Sequence, residues 1–192
     1  MMPGNWGYLT DDTKKFIEQN IPKEASVLDI GCGHGHYAKI CKDHFTKKMD
    51  GVEIWQPYID EYKLHDLYNH IYNVNILDFQ FEYYDFIIMG DVLEHLSRED
   101  GSKLIQKLYV RCNEMLIVVP YNLPQGTVND NKYEIHLQPD LNDEIMSKFY
   151  PELELIKIDN RELKIKIECG DKIYYYSAFK KNKLLKQSIN YD

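Results

Sequence analysis

The chain contains no run of eighteen apolar residues, so it offers no segment long enough to span a bilayer as a helix. Its N-terminus lacks the basic-then-apolar pattern of a secretory signal. Cysteine is scarce: four residues in 192, with no C-x-x-C pair, which points to reduced thiols and a cytoplasmic location. Positive charge is in deficit as well. Lys and Arg number 23 against 31 Asp and Glu, a formal net charge of −8 that argues against nucleic acid as the main partner. The one locally basic stretch, 180–186, reads as a solvated tail. No internal repeat or low-complexity segment is present, and a chain of this length suits one domain with a full core.

What is present is concentrated early. Glycine numbers only ten, yet three stand at alternate positions in V-L-D-I-G-C-G-H-G at 27–35. Val27, Leu28 and Ile30 read as a buried parallel strand. Gly31, Gly33 and Gly35 allow a tight turn and close approach of a ligand to the backbone. A helix over 36–45 then completes a strand, turn and helix unit of the kind that brackets a nucleotide-like ligand. A dinucleotide site requires G-x-G-x-x-G, and His36 occupies the third glycine's place, so a pyrophosphate ligand is disfavoured.

This motif resembles the first motif of class I S-adenosylmethionine-dependent methyltransferases, in which the glycine turn carries the amino-acid end of the cofactor. Three further segments resemble the family in the right order. M-D-G-V-E-I at 49–54 reads as a second strand, with Glu53 about 20 residues beyond the turn, where an acid meets a ribose. N-V-N-I-L-D at 73–78 reads as a third strand whose terminal Asp78 resembles the family acid facing the adenine amine. The stretch from Tyr84 through Gly90, Asp91 and Val92 to Leu96 resembles the fourth-strand motif lining the transfer site. The resemblance covers roughly 26–120 and places Asp29, Gly31, Cys32, Gly33, Gly35, Glu53, Ile54, Leu77, Asp78, Gly90 and Val92 around S-adenosylmethionine. The bland alternative treats each acid as a surface or cap residue and the cysteines as small buried hydrophobes. It suits single positions and fails for four ordered motifs.

Periodicity organises the remainder. Helices are expected over 11–19, 98–110 and 140–149, and strands over 26–30, 49–54, 72–77, 85–90 and 114–120. From 153 to 180 the pattern switches to a period of two, and Cys-Gly-Asp at 169–171 signals a turn between strands 165–168 and 173–179. The segment 161–166 reads as an extra strand or as part of one long bent strand. The expected fold is α/β: a Rossmann-like, mostly parallel seven-stranded sheet with an antiparallel C-terminal strand and helices on both faces. One domain spans 1–192, with a lid segment at 1–20, a substrate-side loop at 121–139 and a tail at 181–192. Trp6, Tyr8, Tyr121 and Tyr133 are candidates for the apolar walls of an acceptor site, or for ordinary lid packing.

Methyl transfer to oxygen requires the acceptor's proton to be removed or its pKa lowered. Asp91, Glu94 and His95 stand together, and His136 follows in the loop after the fifth strand. This D-x-x-E-H with a distant histidine resembles the E-x-x-E-H of two metal-dependent O-methyltransferase groups, the ubiquinone-biosynthesis enzymes and the small-RNA terminal-ribose enzymes. That resemblance implies a magnesium or manganese ion on Asp91, Glu94, His95 and His136. D-V-L-E-H-L is also widespread among family members without metal, which favours His95 or His136 as a base ahead of a cation. The expected activity is O-methylation of a small hydroxylated molecule or sugar. The alternatives are a non-catalytic cofactor-binding module, a terminal-ribose methyltransferase acting on RNA, and an oxidoreductase, which the missing third glycine disfavours.

Overall fold

A computed structural model describes residues 10–158 and 170–177. The chain begins with α1 (Thr10–Asn20), which buries Thr13 and Ile17, one turn apart on the same face. Then follow β1 (Val27–Ile30), α2 (His36–Ile40), β2 (Asp50–Val52), α3 (Gln56–Glu61), α4 (Leu64–Leu67) and β3 (Ile71–Tyr72). The second half holds β4 (Tyr84–Gly90), a single 3-10 turn at Leu93–His95, α5 (Arg98–Leu108), β5 (Cys112–Tyr121), α6 (Asp143–Phe149), β6 (Glu154–Ile158) and β7 (Gly170–Ser177). The strand order is β3-β2-β1-β4-β5-β7-β6. The first five strands pair in parallel, and β7 lies antiparallel between β5 and β6. This is the expected Rossmann-like sheet.

Both faces of the sheet are covered, as an all-parallel centre requires. In β4, Ile87 and Met89 enter one core with Leu28, Leu104 and Ile117, while Phe86 and Ile88 enter the other with Val27, Ile17 and Val118. The alternation is the two-residue period of a strand buried on both sides. Ser97 caps α5 by accepting from the Asp100 amide, and Asn142 caps α6 by accepting from the Ile145 amide. No helix among the described residues is long and apolar enough to cross a membrane.

Three expectations change. The helix expected over 36–45 stops at Ile40, beyond which the His44 ring turns inward to the Ile21 carbonyl, 2.9 Å away. The third strand is Ile71–Tyr72, not 72–77. Asn75 ends the extended run: its Oδ1 accepts from the Leu77 amide and its carbonyl from the Asp78 amide, an Asx turn that competes with the strand ladder. No helix follows in 73–83. Gly170 and Asp171, expected in a turn, are the first residues of β7 and pair with Tyr121 and Pro120. The described partner of β7 on its far side is β6. The strand expected at 165–168, the segment 161–166, Cys169, the tail, Trp6 and Tyr8 lie outside the described residues.

Candidate functional site

A cavity of about 370 Å³ opens beyond the carboxyl ends of β1, β2 and β4. The strand order reverses between β1 and β4, and open α/β sheets bind ligands at that switch point. Gly31, Gly33 and Gly35 all have positive φ, at 71°, 52° and 76°. A Cβ on Gly31 would lie 2.3 Å from Val92 Cγ2, so the turn must pass tightly under Val92. A Cβ on Gly33 would meet nothing closer than the Gly31 carbonyl at 3.9 Å, leaving that part of the turn open to a ligand. Gly31, Cys32, Gly33, Ile54, Gly90 and Val92 line the cavity as expected.

Glu53 lies on the same wall and is only 6 % exposed. Its Oε2 accepts from the Gly33 amide at 2.9 Å and its Oε1 from the Trp55 amide at 2.8 Å. Burial raises its pKa, and these amides oppose the rise. A carboxylate offers about four acceptor sites, so each oxygen retains capacity for a ribose hydroxyl. An open glycine turn beside a fixed, buried acid fits the adenosine and amino-acid ends of S-adenosylmethionine.

Three residues assigned to this wall from sequence stand elsewhere. Asp29 is fully buried behind the turn, where its Oδ2 accepts from the Tyr68 hydroxyl at 2.5 Å and burial lifts its pKa to about 7. Gly35 faces α4, where a Cβ would come within 2.5 Å of Leu67 Cδ1. Asp78 is exposed because the Asx turn rotates it outward, and Asn75 and Leu77 line the cavity in its neighbourhood. Asn75 itself, a residue type that forms Asx turns, is the signal that would have pointed to this turn.

The opposite wall comes from the 3-10 turn and the loop 121–139. The Glu94 carbonyl accepts from the Leu137 and Gln138 amides at 2.8 and 2.9 Å, and Gln138 Nε2 donates to the Leu93 carbonyl at 2.8 Å. These bonds carry His136 to His95, with ring centroids 4.8 Å apart. His95 Nδ1 lies 3.2 Å from the Ile135 carbonyl and His136 Nδ1 lies 2.6 Å from the Leu123 carbonyl. A carbonyl only accepts, so both rings carry their proton on Nδ1 and present the Nε2 lone pair. Burial, then the neighbouring His136, pushes His95 down to about 4, with the Ile135 and Asp91 backbone opposing. Burial also lowers His136. Both imidazoles are therefore neutral at neutral pH.

Glu94 Oε1 lies 3.9 Å from His95 Nε2 and 4.0 Å from His136 Nε2, and its side chain is 1 % exposed. One donor atom from each of Glu94, His95 and His136 lies within 4.8 Å of the others, a set suited to a divalent ion. Asp91 is not in that set, although it lines the cavity. It holds a left-handed φ of 54° at the end of β4, and its shorter side chain replaces the glutamate of the motif it resembles. Tyr121 also stands apart from the cavity: it packs in the core of β5 and its hydroxyl meets Tyr174 and Asp143. Tyr133 lines the cavity and contacts Trp55.

Residues 6–155 match the family described as a methyltransferase domain. This chain is a class I S-adenosylmethionine-dependent methyltransferase. None of the curated proteins compared with it matches. An S-adenosylmethionine-dependent methyltransferase from Clostridium acetobutylicum ATCC 824 is similar in structure, with TM-score 0.65, 13% identity, and coverage of 91% of this chain and 92% of that one. N-methyltransferase NodS from Bradyrhizobium japonicum WM9 gives 0.59 and 12%, with 90% and 98% covered. A chain of the Pnkp1/Rnl/Hen1 RNA repair complex gives 0.59 and 18%, with 88% of this chain and 41% of that chain covered. At such identities these likenesses bear on the fold.

The methyltransferase also holds its site together with residues that carried no role in the sequence. Tyr58 donates to Glu134 Oε1 at 3.1 Å, tying α3 to the loop across the cavity. Asn131 is buried at the foot of the turn that begins the 3-10 segment 132–134. Gln138 is buried against Leu93 and accepts from the Tyr150 hydroxyl at 3.2 Å. No local pattern announces such long-range bonds.

Proposed function

We propose that this methyltransferase acts on a hydroxyl of a small molecule or sugar, with a divalent cation held by Glu94, His95 and His136. The observation that carries this reading is the convergence of two imidazole lone pairs on one buried carboxylate at the cavity wall. S-adenosylmethionine, when bound, supplies an electrophilic methyl group on sulfur. A magnesium or manganese ion on the three side chains would lower the pKa of an acceptor hydroxyl.

The chain's own residues do the rest. The Ile135 and Leu123 carbonyls fix the tautomers that turn both Nε2 atoms toward Glu94. The loop 121–139 forms one wall of the site, held by its bonds to Glu94 and Leu93. Two imidazoles facing one carboxylate support a cation site ahead of a single general base. The loop's Tyr133 and Leu137 with Leu96 give the acceptor an apolar wall.

A terminal ribose of RNA is the second reading, favoured by the likeness to a chain of an RNA repair complex. The net charge of −8, and Asp91, Asp100 and Glu134 on the cavity wall, weigh against a phosphate-bearing acceptor. Three buried free cysteines accord with the cytoplasmic location we propose.

The test is transfer of labelled methyl from the cofactor to panels of hydroxylated small molecules and of RNAs with a free terminal ribose. Label should enter a small molecule, stop on addition of chelator and resume with magnesium or manganese. Label in RNA alone would establish the second reading. Turnover untouched by chelator, with His95→Ala and His136→Ala fully active, would overturn both the cation and the base.

A further inference from the structure

We propose that the Tyr58–Glu134 hydrogen bond is a latch across the cofactor cavity, which S-adenosylmethionine and its spent product must open to enter and leave. This inference is independent of the acceptor and of the cation. Tyr58 and Glu134 both line the cavity but belong to different walls. Tyr58 stands on α3, just beyond Glu53, and its hydroxyl donates to Glu134 Oε1 at 3.1 Å. One turn earlier, the Trp55 ring meets Tyr133 edge to face, with centroids 6.1 Å apart. Two neighbouring residues of the loop thus grip two residues at the start of α3.

The grip lies beside the acid assigned to the ribose. Glu53 Oε1 accepts from the Trp55 amide at 2.8 Å, which fixes that acid next to one of the gripped residues. Burial raises the Glu134 pKa, the Tyr58 bond opposes that rise and the charge of Glu53 adds to it. The Glu134 carboxyl is therefore within electrostatic reach of Glu53. A cofactor whose ribose sits on Glu53 lies beside a bridge that joins the two walls. The bridge is made between protein groups, so breaking it speeds entry and exit alike and leaves affinity unchanged.

The loop is built to pivot from its base. The Asn122 amide donates to the Leu141 carbonyl at 3.0 Å, and the Leu137 and Gln138 amides donate to the Glu94 carbonyl. These bonds pin the two ends of the loop, and His136 stands next to the second pin. Between the pins, Gln125 Nε2 donates to the Glu134 carbonyl at 2.9 Å and joins the two limbs into one piece. Asn122, Asn129 and Asp130 have left-handed φ values of 50°, 50° and 58°, a region that Asn and Asp adopt more readily than other side chains. A few such positions can absorb the backbone rotation of a hinge. Tyr58 is the polar tie between the moving piece and α3, and it sets how fast spent cofactor leaves.

The test measures association and dissociation rates of S-adenosylhomocysteine by surface plasmon resonance on the wild-type chain, Tyr58→Phe and Glu134→Gln. Tyr58→Phe removes the hydroxyl and keeps the ring. Both rates should rise by about tenfold, the scale of a hydrogen bond to a charged group, with Kd within twofold of the wild type. Glu134→Gln keeps an acceptor oxygen without the charge and should raise both rates by a smaller factor. A Kd within twofold also certifies that the variants are folded. Unchanged rates in Tyr58→Phe would overturn the latch. So would faster dissociation alone with a matching loss of affinity, which would make Tyr58 a contact of the cofactor instead.

Discussion

The cofactor wall is built where strands end, whereas the acceptor wall joins a 3-10 turn to a loop lying 40 residues further along the chain. On the first wall, the sheet sets the positions of Gly31, Glu53 and Gly90, and neighbouring strand pairings hold each of them. On the second, His136 reaches His95 through a few hydrogen bonds to the Glu94 and Leu93 carbonyls. One wall rests on the fold and the other on a local clasp. Changes on the first should therefore alter stability and cofactor affinity, and changes on the second should alter turnover alone.

The largest expected effect separates the walls most sharply. Glu94→Gln keeps the shape of a buried side chain and removes its charge. Turnover should fall by about 10³-fold, the several kcal/mol that a Lewis acid supplies. Cofactor affinity, measured by calorimetry, should stay within twofold. A matching loss of cofactor affinity would show that the walls are not separate.

Next comes a pH effect on stability, from a carboxyl buried behind the glycine turn. Asp29 has a folded pKa of about 7 against an ordinary 3.8, so between those values the folded chain keeps a proton that the unfolded chain has released. Its contribution to stability is whole below pH 4 and declines as pH rises to 7, by about 4 kcal/mol in all. Urea unfolding at pH 5 and pH 8 should show this decline in the wild type and a flatter profile in Asp29→Asn.

Glu53→Ala should cost about 2–3 kcal/mol of cofactor affinity, as expected for hydrogen bonds to a charged group. Affinity unchanged within a factor of two would make Glu53 a mere brace for the Gly33 and Trp55 amides. The smallest effect distinguishes two glycines of one turn. Gly31→Ala drives a Cβ into Val92 and should lower stability by about 1–3 kcal/mol, as overpacking does. Gly33→Ala meets only open space, so thermal unfolding should shift by the smaller cost of its positive φ, about 1 kcal/mol.

The same division explains what could be read from the sequence. The central parallel strands, the glycine turn and the place of Glu53 on the cavity wall were legible because each is coded within a few residues, by apolar runs and by glycines that permit positive φ. The third strand misled because N-V-N-I-L alternates like a strand, while Asn75 captures the Leu77 amide and turns the chain. Asp78 was assigned by its resemblance to the family acid at the end of a third strand, and the turn that replaces that strand end leaves it exposed. Asp91 was grouped with Glu94 and His95 by adjacency, and a left-handed backbone at Asp91 with a short side chain keeps it out of the cluster. His136 was singled out by resemblance, within E-I-H-L-Q-P-D at 134–140, but the bonds that place it, to the Leu123 carbonyl and through Gln138 to Leu93, join segments far apart in the chain.

The central claim is that Glu94, His95 and His136 form one cation site. Titration of the wild-type chain with manganese, followed by the paramagnetic signal of the free ion, tests it without an acceptor. The account predicts one saturable site per chain, weakened at least tenfold in His136→Ala, with cofactor affinity intact. No saturable site in the wild type, or equal binding by His136→Ala, would contradict it.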